Sequence, residues 1–353
     1  VELEVTVAGE TVPALAYPEL TGRPEPGDRV LLNTGALDLG LGTGGYALVV
    51  AIPDRLPPDQ DRPGHLVKAR YTPLQVTVAS PDEQGSAQHD VLGEADDLDG
   101  LPVVVADLHS ALPAILAGFR GERDAAAGSA APSRPARVAY IMPDGGALPV
   151  WFSRTVAELT DLGWLAGTIT TGQAFGGDVE AVTLHSGLLA ARLGLLADLA
   201  VVAQGPGNLG TGTRWGFSGV ACGEAINAAA VLGGRPIGSL RVSQADPRDR
   251  HRGVSHHSLT AYGRVALARA DIPVPELPGD FGAQVDAAVA PLAVRHNLVR
   301  VSVTGLADVL RACPVRLSSM GRGLEDDPAY FLAAAAAGRY AALVPRTGTA
   351  AGD

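Results

Sequence analysis

The sequence predicts an α/β protein with a mainly parallel, Rossmann-like sheet flanked by helices, preceded by a small N-terminal β-barrel or sandwich domain. Three observations carry this. Short strands with period-two alternation fill residues 1–80, and apolar strands alternate with amphipathic helices from about residue 100 onward. A chain of 353 residues, 46% hydrophobic and 18% charged, can also bury two cores.

In chain order, Val1, Leu3, Val5 and Val7 alternate with Glu2, Glu4 and Thr6, and Ala8-Gly9-Glu10 turns the chain. Strands are expected at Asp28–Asn33, Tyr46–Ala51 and Leu74–Ala79, spaced by turn-rich pieces as in a small barrel or sandwich. Beyond that, Leu101–Ala106 leads to a helix at Ala111–Phe119, and Arg137–Met142 to a helix at Trp151–Leu162. Gly167–Thr171 then leads to a helix at Asp178–Leu193, and Leu199–Ala203 to a helix at Trp215–Leu232. Such alternation implies right-handed crossovers and a parallel sheet, with ligands beyond the carboxyl ends of its strands. The domains are expected at 1–80 and 81–345, with a flexible loop at 121–136 and a disordered tail at 346–353.

Composition narrows the function classes. Cys222 and Cys313 lie far apart, which indicates neither a disulfide framework nor a zinc ribbon and fits a cytoplasmic, bacterial-type protein. No apolar run approaches the roughly 20 residues of a membrane span, and the opening residues alternate like a strand, not like a signal peptide. The chain starts at Val1, and whether the native N-terminus lies further upstream is left open. A net charge of −11 argues against broad nucleic-acid binding while leaving room for a local anion site. A homo-oligomer is left open.

Two segments carry chemistry. After the strand Leu199–Ala203, Gly205, Gly207 and Gly210 match G-x-G-x-x-G spacing, and Asn208, Thr211, Gly212 and Thr213 complete a turn whose amides could cradle an anion at a helix start. Against a dinucleotide site, the next strand ends in Arg241 and Ser243 without an acidic residue, and Pro206 interrupts the motif. An anion cradle, a dinucleotide site and a purely structural turn all remain open. The second segment is the densest polar cluster of the chain: Arg241, Asp246, Arg248, Asp249, Arg250, His251, Arg252, His256 and His257. Ser255 is a natural N-cap, which places His256 and His257 in the first turn of a helix that disfavours imidazolium. Neutral imidazoles can accept protons or bind metal. The bland alternative is a solvated loop of Arg/Asp pairs.

The catalytic candidates are accordingly His256, His257, Asp246 and His251. The glycine turn with Arg241, Arg248, Arg250, Arg252, His109 and Asp144 would bind substrate. The cofactor is left open. A divalent metal would draw on His256 and His257 with Asp246 or Asp178, although neither H-E-x-x-H nor C-x-x-C occurs. Asp107 and His109 also follow a strand, but Asp107 reads equally as a helix cap and Asp144 as a turn former. His185 and Ser186 are expected to pack in a helix, His65, His89 and His296 to lie at the surface, and Cys222 not to act as a nucleophile.

Against these motifs, the chain resembles DUF3866, a bacterial family defined as a domain of unknown function. The resemblance rests on Leu31-Leu-Asn-Thr34, Leu39-Gly-Leu-Gly-Thr-Gly-Gly45, Gly205-Pro-Gly207, Gly210-Thr-Gly-Thr213, Gly216-Phe-Ser-Gly219 and Arg250-His-Arg-Gly-Val-Ser-His-His257. Ser319-Met-Gly-Arg322 and the alanine run near Ala333 extend it over nearly the whole chain. It implies no catalytic residue or substrate. The functional expectation is therefore an enzyme acting on a small anionic, phosphorylated or nucleotide-like substrate, with metal-assisted hydrolysis as one form. A non-catalytic anion or nucleotide sensor and a scaffold or assembly protein are the alternatives.

Overall fold

A computed structural model describes residues 1–42, 44–59, 61–127 and 135–345. The chain divides into two compact units, Val1–Ala79 and Ser80–Asp353. In the first, β1 (Glu2–Val7), β2 (Glu10–Leu15), β3 (Leu31–Asn33) and β4 (Ala47–Ala51) form one sheet in the order β1-β2-β4-β3. A hairpin of β5 (Leu66–Lys68) and β6 (Val76–Val78) and two single-turn helices, α1 (Pro18–Thr21) and α2 (Gly35–Asp38), complete it. Its small core gathers Ala14, Ala16, Ala47 and Val49. Among the described residues β1 and β3 do not pair, so this sheet is open and does not close into a barrel.

The second unit is built on eight parallel strands: β7 (Pro102–Ala106), β8 (Val138–Met142), β9 (Gly167–Thr171), β10 (Val179–Ala181), β11 (Leu199–Ala203), β12 (Arg235–Gly238), β15 (Asp271–Pro275) and β16 (Asn297–Val301). A short antiparallel pair, β13 (Val242–Ser243) and β14 (Gly253–Val254), lies outside them. The spatial order is β10-β9-β8-β11-β7-β12-β15-β16. Every residue of β7, β8 and β11 is buried, as expected of strands covered on both faces, and this explains their uninterrupted apolar sequences.

Helices cover the two faces. After α3 (His89–Gly93) come α4 (Leu112–Ala127), α5 (Arg154–Asp161), α6 (Leu184–Leu189), α7 (Ala221–Val231), α8 (His256–Thr260), α9 (Gly279–Val289), α10 (Leu306–Arg311) and α11 (Pro328–Leu343). One core packs α6, α7, α9 and the π turn following α8, through Leu188, Ile226, Tyr262 and Val285. The other packs α4, α5, α10 and α11, through Ile115, Leu159, Leu310 and Phe331. None of the helices of the described residues is long and apolar enough to cross a membrane.

Several boundaries differ from the sequence expectation. Residues 121–127, expected in a loop, continue α4, because Ala125, Ala126 and Ala127 are strong helix formers; residues 128–134 and the expected tail at 346–353 lie outside the described residues. The helix expected from Asp178 is preceded by β10, and its start is fixed later by a Thr183/Ser186 capping box. The strand expected at Pro236–Ser243 is broken at Ser239–Arg241, where the Tyr262 hydroxyl lies 2.8 Å from Val105 O and 3.0 Å from Ser239 O.

The contact of α4 with α11 depends on two glycines. A Cβ at Gly118 would run into the Ala335 carbonyl, and one at Gly338 into the Ile115 carbonyl, so the helix backbones touch directly. Ala333–Ala337 keep the surrounding surface equally low. Gly338→Ala is therefore expected to cost about 1–3 kcal/mol by overpacking, despite the better helix propensity of alanine. Thermal unfolding checks it; an unchanged or raised Tm would contradict direct backbone contact.

Candidate functional site

The connection after β7 leads to the α4 face of the sheet, whereas those after β11 and β12 lead to α7 and α8 on the opposite face. Chains leaving in opposite directions open a crevice above the carboxyl ends of β11, β7 and β12. Asp107 directly follows β7, Gln204 directly follows β11, and Arg241 sits in the break after β12.

The buried Asp107 carboxylate joins these pieces. Its Oδ2 lies 2.9 Å from His257 Nδ1 and 3.3 Å from Arg241 Nη1, and its Oδ1 accepts from Asn208 Nδ2 at 2.9 Å. Gln204 donates to the Asp107 carbonyl at 3.0 Å. A Cβ at Gly219 would collide with Oδ1, so only glycine leaves room for the carboxylate there. Burial alone would raise the Asp107 pKa, but the hydrogen bond to His257 and the Arg241 guanidinium hold it below its ordinary value. Asp107 is no helix cap, since a short turn at His109–Ala111 intervenes before α4 and its N-cap is Leu108.

Three histidines gather beside this pair. As expected, Ser255 caps α8, its side chain accepting from His257 N, and this sets His256 and His257 in the first turn. Phe217 stacks on His257, with ring centroids 3.7 Å apart and planes 4° apart. An ionised carboxylate can only accept, so the Asp107 contact makes Nδ1 the donor nitrogen of His257. His251, on the preceding turn, places its Nδ1 2.7 Å from Ser255 Oγ. The His251, His256 and His257 ring centroids are 4.5 to 5.1 Å apart, and one ligand atom from each lies within 4.8 Å of the others. His256 Nε2 is buried with no hydrogen-bond partner among the described residues. Burial, then the charges of Arg241 and Arg248, pushes His251 down to about 3. Burial also lowers His256, reinforced by His257 and Arg250. These three imidazoles are the residues of the site able to hold a metal ion.

Beside the histidines lies a closed set of ion pairs. Asp246 accepts both Arg248 Nε (2.9 Å) and Nη2 (2.8 Å), and its Oδ2 also meets Arg322 at 3.3 Å and Arg241 at 3.5 Å. Asp327 binds Arg322, Ser243 Oγ and Gln244 N. The Arg248 hydrogen bond, foremost, keeps Asp246 far below the ordinary carboxylate range. Its oxygens serve arginines, so the structure places Asp246 in the frame and not in the ligand set. Arg250 and Arg252 are exposed and have no ion-pair partner among the described residues. The Arg250 guanidinium lies 3.6 Å from where a Gly212 Cβ would stand.

The glycine turn takes another form than expected. Gly210 and Phe217 form an antiparallel bridge, Thr211 N bonds Gly216 O at 2.7 Å, and Thr211 and Thr213 share a hydroxyl contact of 3.1 Å. The run is thus a hairpin loop, and α7 begins only at Ala221 after a short turn at Ser218–Val220. A Cβ at Gly205 would stand 2.6 Å from Ala147 O, so this glycine serves loop-to-loop packing. Gly207 and Gly212 take positive φ in the exposed stretch, and Asn208 is committed to Asp107.

Other expected residues are dispersed. Asp178 precedes β10, beside Thr168 near the amino end of β9, and its Oδ2 accepts from Thr168 N and Oγ1. That is the opposite edge of the sheet from the histidines, which removes it from any shared metal set. Asp144 is exposed after β8 and accepts from Gln173 N at 3.1 Å. His109 is held on both sides, Nδ1 at 3.0 Å from Tyr140 Oη and Nε2 at 2.7 Å from Ser153 Oγ, so both ring nitrogens are already engaged. His185, expected to pack, is exposed, while Ser186 serves the capping box. His296, expected at the surface, is buried between Tyr262 O and Ala270 N, and His89 is half-buried against Asp82 O. Burial and Asp107 push the Cys222 thiol well above its ordinary value, in keeping with an inert cysteine. A cavity of about 290 Å³ lies next to the Asp107 wall, between Gln204, Ser218, Gly219, Cys222, Asp144 and His185.

The sequence gives Asp107 little weight because its side-chain partners lie 101 to 150 residues away; its one local signal is an acidic residue closing an entirely apolar strand. Arg322 and Asp327 carried no local signal beyond their polarity.

Fold and site together define a parallel α/β protein with a histidine- and arginine-rich crevice at its ligand edge. The chain belongs to the family described as "Protein of unknown function (DUF3866)", which matches residues 13–338. No curated protein and no solved structure is significantly similar to it.

Burial holds His109 down at about 4, against an ordinary 6.5. A depressed folded-state pKa means that the unfolded chain takes up the proton first. The stability this histidine contributes is then complete above about pH 6.5 and is lost as pH falls toward 4. His109→Gln should flatten the decline over that window by up to about 1.4 kcal/mol per pH unit, the limit for one proton. Urea unfolding between pH 7 and 4 measures it; parallel wild-type and variant curves would contradict the assignment.

Proposed function

We propose that this chain is an enzyme that hydrolyses a small anionic substrate, phosphorylated or nucleotide-like, in the crevice above β11, β7 and β12. The observation that carries the reading is the buried Asp107–His257 hydrogen bond of 2.9 Å, set among further imidazoles at the switch point of the sheet. A carboxylate behind an imidazole fixes its ring and stabilises positive charge developing on it, which suits activation of water at the cluster.

Substrate charge falls to Arg250 and Arg252. Arg241, Arg248 and Arg322 are neutralised by Asp107, Asp246 and Asp327, so the exposed pair supplies the free positive charge. Arg250 lies over Gly212, so an anion there would meet a guanidinium and the hairpin together. The adjoining cavity has room for the non-reacting part of a small substrate.

A panel of small phosphomonoesters, phosphodiesters and nucleotides tests this. At least one should be turned over. His257→Gln should lower kcat by roughly 10²–10⁴-fold, and Arg250→Ala should act mainly on KM. No turnover across the panel, or turnover indifferent to His257→Gln, would overturn the reading. Saturable binding without turnover would mark a sensor instead.

A further inference from the structure

We infer that His251, His256 and His257 form a trihistidine site for a divalent transition-metal ion of the zinc class, with Asp107 and Ser255 as the groups that orient the ligands. This deepens the proposed hydrolytic reading, since an ion there would leave a coordination position for water or for an anionic oxygen of the substrate.

Geometry carries the inference. Three imidazoles within 5.1 Å of one another, centroid to centroid, are poorly explained as packing, since each ring brings a nitrogen that needs a partner. The buried Nε2 of His256 has none among the described residues, and such an orphan ordinarily costs about 1–3 kcal/mol. A metal ion supplies the missing partner. Two of the rings are already engaged at Nδ1, His257 by Asp107 and His251 by Ser255, which leaves Nε2 of both available. Carboxylate-to-histidine contacts of this kind recur behind metal-bound imidazoles and set ring orientation. Phe217 flat against His257 removes much of the remaining rotational freedom.

The separations also fit. Tetrahedral coordination at about 2.05 Å from each nitrogen puts nitrogens about 3.3 Å apart. The three ligand atoms lie within 4.8 Å, so small side-chain rotations close the set. Three nitrogen donors without a carboxylate select Zn²⁺ or Co²⁺ over Mg²⁺ or Ca²⁺, which prefer oxygen. Asp246, the buried carboxylate of the same segment, is saturated by arginine and does not compete.

The test uses untagged, chelator-stripped full-length protein titrated with ZnCl₂, CoCl₂ or MgCl₂. We expect one Zn²⁺ or Co²⁺ per chain with a visible low-symmetry Co²⁺ absorption, a Zn²⁺-dependent rise in Tm, and no response to Mg²⁺. His256→Ala alters a half-buried ring and should fold, and it should abolish the Co²⁺ band. Asp107→Asn should weaken binding about 10–100-fold. His65→Ala, at an exposed histidine of the first unit, should leave the Co²⁺ band and the Zn²⁺-dependent rise in Tm unchanged. Absence of stoichiometric binding, or an unchanged Co²⁺ band in both His256→Ala and His251→Ala, overturns the site. Turnover without stoichiometric Zn²⁺ or Co²⁺ binding would refute the ion while leaving hydrolysis standing; a bound ion without turnover on the panel would do the reverse.

Discussion

The buried carboxylate of Asp107 is the interaction on which the site depends. It is placed by β7, yet its partners come from the loop after β11, the break after β12 and the start of α8. A buried charge must be paired, and here the pairing also fixes the relative position of three strand ends. Neutralising it would leave the Arg241 guanidinium, itself only 6% exposed, short of a counter-charge, and His257 without its acceptor. The absence of a side chain at Gly219 belongs to the same arrangement, because a methyl group there would occupy the position of Oδ1.

Around that centre, paired and unpaired arginines are kept apart. Arg241, Arg248 and Arg322 are spent on Asp107, Asp246 and Asp327, and Asp327 carries the network on to the start of α11. Since α11 packs against α4 through backbone-level contact, the arginine frame is anchored to the best-packed part of the unit. The interior charges compensate one another, so the negative net charge of the chain does not set the local field at the crevice. Arg250 and Arg252 stand outside this network, exposed and without an ion-pair partner among the described residues.

The strands of the sheet were legible because burial on both faces demands unbroken apolar runs, and Leu101–Ala106, Arg137–Met142 and Leu199–Ala203 offer them. The Arg/His segment was legible as a concentration of charge behind a strand, and Ser255 as a cap. Helix starts were harder to read. A glycine-rich run after a strand can enter a helix directly or fold back as a hairpin, and the Gly210–Phe217 bridge that decides the matter is a pairing without a local sequence code. Partnerships across distant chain segments were not legible at all. Asp107 finds His257 only once β12 has been laid beside β7, and the diversion of Asp246 to Arg322 requires the turn before α11.

Strand order also separates this crevice from the common dinucleotide-binding arrangement. In the common dinucleotide-binding order the first two strands of the unit are neighbours, and a pyrophosphate rests on the helix that starts directly after the first. Here β11 is inserted between β8 and β7, and the glycine run follows β11. The helix beyond that run starts only at Ala221, after the hairpin, so its amides are not delivered by the turn itself. At the end of β7 stands Asp107, whose carboxylate is already occupied by Arg241, His257 and Asn208. The insertion of β11 and the late start of α7 thus both set this sheet apart from the dinucleotide-binding arrangement, since neither the neighbouring strands nor the helix amides stand where that arrangement needs them.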